Sequence, residues 1–143
     1  LVAARADLEA KDNGGNTPLL WAAVQGHVKL EAKDNKEKTP LMHAAFKGHV
    51  EVAQLLLAAK ADLEAKSSQG GTSLMAAAFQ GHVELAQLLL AAHLEAKNNQ
   101  GFTPLIFAAM FGHVEVVQLL LAARADLEAK DDDGKTALDY AKE

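Results

Sequence analysis

The sequence predicts an all-α repeat solenoid, a stack of helix-turn-helix units joined by β-hairpin loops, and three observations carry that reading. The phrase Thr-Pro-Leu-x-x-Ala-Ala-x-x-Gly-His-Val-Glu-Val-Ala-Gln-Leu-Leu-Leu-Ala-Ala-x-Ala-Asp-Leu-Glu-Ala-Lys recurs along the chain. Its threonines, Thr17, Thr39, Thr72, Thr103 and Thr136, are spaced by 22, 33, 31 and 33 residues. Each copy carries helix-starting and helix-stopping residues at matching offsets. Self-similarity at a period of about 20–50 residues marks units that cannot bury an apolar face alone and must stack on their neighbours.

The second copy shows how one unit is built. Thr39 supplies a hydroxyl cap, and Pro40 takes the first helical position, where its missing N–H costs nothing. The helix runs through Leu41, Ala44 and Ala45 to Gly48, because glycine accepts the left-handed conformation that closes a helix. His49-Val50-Glu51 opens a second helix, with Glu51 in the first turn where the helix dipole favours an anion. Val52, Ala53, Leu55, Leu56 and Leu57 give that helix an apolar stripe broad enough to touch both neighbouring units. Ala61-Asp62-Leu63-Glu64-Ala65-Lys66 and the polar Ser67-Ser68-Gln69-Gly70-Gly71 then form an extended, hairpin-like loop to the next unit.

Two spacings depart from the parent period of 33: the third interval lacks 2 residues and the first lacks 11. His93 runs directly into Leu94, whereas the preceding copy has Lys60-Ala61-Asp62 before Leu63, so an Ala-Asp dipeptide is expected to be missing. In the first unit His27-Val28-Lys29 meets Leu30-Glu31-Ala32-Lys33, and a leucine-rich second helix is absent. Its loss exposes packing leucines at about 2–5 kcal/mol per large side chain, so a helix is expected to have been left out of the sequence between Val28 and Leu30. The chain has no initiator Met and no signal-like start. Leu1-Val2-Ala3-Ala4 reads as the tail of a second helix and Thr136 to Glu143 as most of a first, which predicts a segment of a longer array. The expected division of this single array, residues 1–143, is a partial unit 1–10, units of about 11–32, 33–65, 66–96 and 97–129, and a partial unit 130–143.

Composition excludes several function classes. Half the residues are hydrophobic, much of that alanine and leucine, which suits closely packed helices. Charged and polar residues interrupt every stretch before the roughly 18 apolar residues that a membrane span requires, so no membrane insertion is expected and the chain reads as soluble. With no cysteine, disulfide scaffolding, thiol catalysis and thiolate zinc sites are excluded. That is compatible with a reducing compartment, and an intracellular, cytoplasmic setting is expected. The net charge of −5 argues against nucleic acid, whose phosphates are held by clustered Lys and Arg. His27, His49, His82 and His113 share one repeat position. Stacked helices lie about 8–10 Å apart, whereas zinc needs nitrogens about 2.0–2.1 Å from one ion, so these histidines are expected to pack or hydrogen-bond. His43 and His93 are isolated. Glu31, Glu64, Glu95 and Glu128 recur in the loops, which favours a framework role. No serine lies in a nucleophile motif and no glycine run matches a phosphate loop. No enzyme activity, cofactor or metal is expected.

Taken together, the Thr-Pro-Leu, Ala-Ala, Gly-His and Ala-Asp landmarks resemble the ankyrin repeat, and the resemblance covers nearly the whole chain. It implies a unit of one β-hairpin loop and two antiparallel helices. The chain departs from the family pattern in two respects. The histidine usual after Thr-Pro-Leu is replaced by Leu20, Met42, Met75, Ile106 and Asp139, turning a polar layer largely apolar. The glycine usual before Ala-Asp is Arg5, Lys60 and Arg124, and a non-glycine in a left-handed cap costs about 1 kcal/mol. Elsewhere Ser67-Ser68 stands for Asp-Asn, Ser73 for Pro and Glu37 for the turn glycine.

Variation among the copies points to function. All seven aromatic residues, Trp21, Phe46, Phe79, Phe102, Phe107, Phe111 and Tyr140, fall at positions that differ between copies, in the loop tips or first helices. The resemblance implies that these elements line a concave face where a protein partner binds. The candidate contact residues are Trp21, Gln25, Lys36, Lys38, His43, Phe46, Lys47, Gln69, Phe79, Gln80, Gln100, Phe102, Phe107, Met110, Phe111, Asp133 and Lys135. Trp21, Phe107 and Tyr140 are equally well read as fillers between first helices, whereas Phe46, Phe79, Phe102 and Phe111 neighbour polar positions and favour binding. The leading function is a non-enzymatic protein-interaction scaffold, expected to be monomeric, for a protein partner whose identity the sequence leaves open. The alternatives are a structural or regulatory segment of a larger enzyme, channel or effector, and an engineered ankyrin-type binder. Irregular unit lengths and drifting landmarks favour a natural array over the last.

Overall fold

The structure, a computed structural model, describes residues 32–143. Trp21, Gln25, Arg5, His27, Glu31, the segment from Val28 to Leu30 and the residues Leu1 to Ala4 lie outside the described residues. Seven helices follow in order: α1 Pro40–Lys47, α2 Val50–Ala58, α3 Ser73–Gln80, α4 Val83–Leu88, α5 Pro104–Met110, α6 Val114–Ala122 and α7 Ala137–Ala141. The first helices of successive units, α1, α3, α5 and α7, pack side by side in one layer. The second helices, α2, α4 and α6, form the other layer, and each packs against the first helix of its own unit.

The first helices begin and end as the residues dictate. Thr39, Thr72, Thr103 and Thr136 each accept a hydrogen bond from the amide three residues on, at 3.2–3.3 Å. The replacement of proline by Ser73 leaves this cap intact. In α7 the cap is reciprocal, because Asp139 also accepts from the Thr136 amide at 2.9 Å, which satisfies two of the donors a helix start leaves over. Gly48 and Gly81 close α1 and α3 at φ 78° and 77°. Leu41, Leu74 and Leu105 beneath the caps are fully buried, as are Met42, Met75 and Ile106 at the former histidine position. The apolar layer expected there is present, and Asp139, at the same position, serves the cap instead.

In the second helices the buried stripe is narrower than the sequence suggests. Ala53 and Leu56 are buried in α2, and Leu55 is exposed. Three leucines in a row span more of the helix circumference than one neighbouring layer covers. The ends of α2 and α6 match one another. Lys60 N–H donates to Leu57 O at 2.9 Å and Ala61 N–H to Leu56 O at 3.0 Å, with the same pair at Arg124 and Ala125. This double bond pattern needs a left-handed residue just past the helix, and Lys60 and Arg124 indeed have φ 71°. The strain expected from the missing glycines is therefore in place at both.

The short unit is corrected in one detail. The residues lost from 66–96 are not the Ala-Asp pair. Ala92 is buried as Ala61 and Ala125 are, and His93 donates its amide to Glu64 Oε2 at 2.9 Å as Asp126 does to Glu95 Oε2 at 2.7 Å. His93 thus stands at the Asp position. The deletion falls at the end of α4, which stops at Leu88, and a tighter turn from Ala92 N–H to Leu89 O at 2.9 Å replaces the left-handed cap. Leu89 stays fully buried, so the core survives the loss.

Each loop tip closes as a turn, Asp34 N–H to Lys38 O at 3.1 Å and its equivalents from Ser67, Asn98 and Asp131. Neighbouring tips share one backbone bond: Ser68 N–H to Lys36 O, Asn99 N–H to Gln69 O and Asp132 N–H to Gln100 O. The tips are hairpin-like, and no regular strand forms among the described residues. The tip residue Glu37 holds φ 59°, where Gly70, Gly101 and Gly134 hold 79°, 83° and 79°. A Cβ at Gly70 or Gly101 runs into Asn99 or Asp132 of the next tip. Glu37 takes the same left-handed conformation with a side chain in place.

Polar ties then lock unit to unit. His82 Nε2 donates to Phe46 O at 3.0 Å and His113 Nε2 to Phe79 O at 2.9 Å, each ring lying over the glycine that closes the preceding first helix. Lys33, Lys66 and Lys97 each send their ammonium to the backbone carbonyl of the next such lysine, Lys66, Lys97 and Lys130. The glutamate ties noted above complete the set, so His82, His113, Glu64 and Glu95 take the framework roles their repetition predicts.

A matched pair of substitutions isolates the histidine tie. A Cβ at Gly81 falls 2.4 Å from His113 Nδ1, whereas at Gly112, φ 71°, nothing lies within 4 Å. Gly112→Ala is expected to cost about 1 kcal/mol of left-handed strain alone, and Gly81→Ala about 1–2 kcal/mol more by displacing the ring and its hydrogen bond. Urea unfolding midpoints of the two variants measure the difference, and equal losses count against the tie.

Candidate functional site

The side of the stack formed by loop tips and first helices carries an aromatic ribbon that crosses every junction between described units. Phe46 stacks on Phe79 with centroids 6.2 Å apart, and Phe79 meets Phe107 at 5.6 Å and Phe111 at 4.6 Å. Phe102 bridges Phe107 at 5.2 Å and Tyr140 at 6.1 Å, both edge to face. The ribbon divides by burial. Phe46, Phe79 and Phe111 are exposed at 41%, 38% and 47%, while Phe102, Phe107 and Tyr140 are half-buried against the core. Ring pairs in these geometries contribute about 0.5–1.5 kcal/mol beyond area burial, so the half-buried members also hold adjacent units together. Phe102, Phe107 and Tyr140 thus pack against the core, as a filler between first helices would.

The polar candidates lie around the ribbon. Lys38 sits 5.7 Å over the Phe46 ring and Lys135 5.2 Å over Tyr140, placements that keep the ammonium in water while its stem covers aromatic carbon. Lys135 also pairs with Glu143 at 2.8 Å, and this contact, first among several nearby carboxylates, raises its pKa. Lys36, Lys47, Gln69, Gln80, Gln100 and Asp133 are exposed at tips and helix ends, and Met110 is half-buried beside the ribbon.

Two variable positions turn out to serve the fold. The first residue of a tip organises it: Asp34 Oδ1 accepts from the amides of Lys36 and Lys38, Asn98 Oδ1 from Gln100 and Phe102, and Asp131 Oδ1 from Asp133 and Lys135, all at 2.8–2.9 Å. Where that residue is Asp, the first helix supplies a partner for its second oxygen. His43 Nε2 lies 2.8 Å from Asp34 Oδ2, and the Tyr140 hydroxyl donates to Asp131 Oδ2. Where the tip begins with Ser67 or Asn98, the same helix position is Ala76 or Phe107. The electrostatics follow. The Lys38 amide, with His43 and the Lys36 amide adding to it, holds the Asp34 carboxyl down to about 2. Burial pushes Asp131 up, and the Tyr140 hydroxyl and two backbone amides outweigh it, leaving the carboxyl below its usual range.

Sequence reasoning missed the carbonyl ties of Lys33, Lys66 and Lys97, although an invariant lysine at the end of every Leu-Glu-Ala-Lys was the available signal. It also missed the Asp–His and Asp–Tyr pairing, visible as a correlation only once the two positions are known to touch. Among the described residues, no group of three or more His, Cys, Asp or Glu side chains is placed to hold a metal ion, and no helix is long and apolar enough to cross a membrane.

In comparison with protein families, the family model described as ankyrin repeats (3 copies) aligns with residues 28–99 and again with 74–143. A search of curated proteins finds no match.

Because Tyr140 is the chain's one tyrosine, its pairing can be read directly. The Asp131 carboxylate beside it pushes its hydroxyl from 10.0 up to about 12. A group whose folded pKa is raised adds stability below its unfolded pKa and loses it as pH rises through the folded one, here between 10.0 and about 12. Ultraviolet titration of the phenolate should find a midpoint near 12 that returns toward 10.0 in Asp131→Asn. A wild-type midpoint at the ordinary value would refute the pairing.

Proposed function

Since the chain belongs to the ankyrin-repeat family, whose units are generally non-catalytic protein–protein interaction modules, we propose that it is a scaffold that binds one protein partner on the concave face of loop tips and first helices. The observation that carries this reading is the exposure of Phe46, Phe79 and Phe111 in one contiguous row. The caps, the buried core and the unit-to-unit hydrogen bonds are built from other side chains, and none of them uses these three rings. Exposed aromatic clusters rimmed by polar groups are the usual anchors of interfaces, where a few residues supply most of the binding energy. Lys36, Lys47, Gln69, Gln80 and Gln100 form the rim, a mixture suited to hydrogen bonding around an apolar centre.

The division within the ribbon makes the proposal testable. Phe79→Ala with Phe111→Ala should weaken binding of the partner recovered by affinity pull-down at least tenfold, with unfolding free energy changed by under about 1 kcal/mol, as for exposed sites generally. Phe102→Ala or Phe107→Ala should instead cost about 2 kcal/mol of stability, less than a fully buried Phe because each is only half covered. Undiminished partner binding by the Phe79/Phe111 variant would overturn this function.

A further inference from the structure

The loop-and-helix face is not uniform, and its variation singles out one unit. At the tip position just before the capping threonine, and at the helix position four residues after it, the units carry Lys38 and His43, then Gly71 and Ala76, then Phe102 and Phe107, then Lys135 and Tyr140. Only the unit 66–96 is small at both. The space this leaves is an open pocket between it and the preceding unit, lined by Met42, Phe46, Thr72 and Ala76 with Lys38 and His43 at its rim. Met42 and Thr72 are otherwise buried, so the pocket reaches to the edge of the core. Its lining of methionine, ring, methyl and alanine carbon gains from an apolar occupant.

Charge varies along the same face. Lys38 lines the pocket and Lys36 and Lys47 lie in the same unit, and no carboxylate lies within ion-pair distance of any of them among the described residues. Glu37 offsets one of these charges, and Asp34 is already engaged by two backbone amides and His43. The middle of the face is neutral, with Gln69, Gln80 and Gln100. At the other end Asp132 and Asp133 project from the tip, where Lys135 is neutralised by Glu143. The face therefore runs from cationic on the unit 33–65 to anionic three units away.

Resting on the reading that a partner binds this face, we propose that the pocket between Phe46 and Ala76 takes one bulky apolar side chain from an extended segment of that partner, and that a carboxylate next to it in the segment meets Lys38 and Lys36. The segment then lies with its acidic end over residues 33–65 and any basic residues toward Asp132 and Asp133. Like-charge contact disfavours the reverse direction, so the polarity sets orientation as well as choice of ligand.

The probe is a library of displayed random dodecapeptides selected on the immobilised chain. Selected sequences should be enriched in Asp or Glu adjoining Leu, Ile, Met or Phe. Binding of a synthetic peptide from that pool should fall at least tenfold in Ala76→Phe, which fills the pocket with the residue the next unit already carries at Phe107, and similarly in Lys38→Glu. Gly71→Phe, which copies the next unit's Phe102, is the second filling variant should the first disturb folding, and thermal melting reports on both. A pool without that enrichment, peptides that bind both filled variants undiminished, or failure to select any binder overturns the proposal. Phe79→Ala with Phe111→Ala is measured in parallel. Peptides weakened by that pair and indifferent to Ala76→Phe overturn the pocket and leave the binding face standing, and peptides indifferent to both overturn both readings.

Discussion

The stack depends on one contact: a histidine at the head of a second helix reaching back over a glycine of the preceding unit. Three demands meet there. The first helix must end, which requires a left-handed residue, and Gly48 and Gly81 provide it. The last turn of that helix leaves carbonyls without partners, and His82 and His113 supply N–H donors to Phe46 O and Phe79 O. Since a carbonyl only accepts, these rings must carry their proton on Nε2. The ring also needs the space a Cβ would take, so the glycine that ends the helix conformationally is the one that seats its neighbour sterically. At the two junctions that carry it, this contact sets how closely the units approach, and the glutamate and lysine ties add a second set of bonds on the loop side.

How much of this the sequence displays depends on whether an interaction is local. Helix starts, helix stops and the buried Leu and Ala rows follow from residues a few positions apart, and the copies vote together on each. The left-handed state of Lys60 and Arg124 was legible through the family resemblance alone, whose usual residue there is glycine, since no copy in this chain carries one. Contacts between units were legible only as repetition without a partner. Four histidines and four glutamates at fixed offsets had to be structural, yet nothing in the sequence says that the acceptor is a carbonyl about 35 residues back. The placement of the two-residue deletion failed on a different ground. Aligning letters favoured loss of Ala-Asp, whereas the energetics favour keeping Ala92 buried and a donor at His93 for Glu64, so the helix end gave way instead.

That outcome ranks the parts of a unit. The end of α4 loses its left-handed cap and its last turn while Leu89, Ala92 and the Glu64 tie are retained. In the full-length units the same cap is occupied by Lys60 and Arg124 at a conformational cost of about 1 kcal/mol. A feature that is strained in two units and removed in a third contributes little to assembly. Of the junction contacts, the lysine and loop-tip bonds recur at all three junctions described, and the histidine and glutamate ties at two. Solenoid stability is approximately a sum of unit terms and nearest-neighbour terms, and here the second term is where the sequence is least free.

The same reasoning locates the freedom that function can use. The second oxygen of an aspartate at the start of a tip takes its partner from the first helix, as a requirement at the buried Asp131, paired with Tyr140, and as an added contact at the exposed Asp34, paired with His43. Ser67 and Asn98 make no such demand, and the equivalent helix positions are released to become Ala76 and Phe107. The two units with neutral tips are therefore the ones whose first helices can change without disturbing a buried or organised acid. They are also the units that carry Phe79, Phe102, Phe107 and Phe111, the centre of the aromatic ribbon, and the pocket at Ala76. Local satisfaction of one loop oxygen thus constrains the first helix at the buried Asp131 and leaves it free where the tip begins with Ser67 or Asn98.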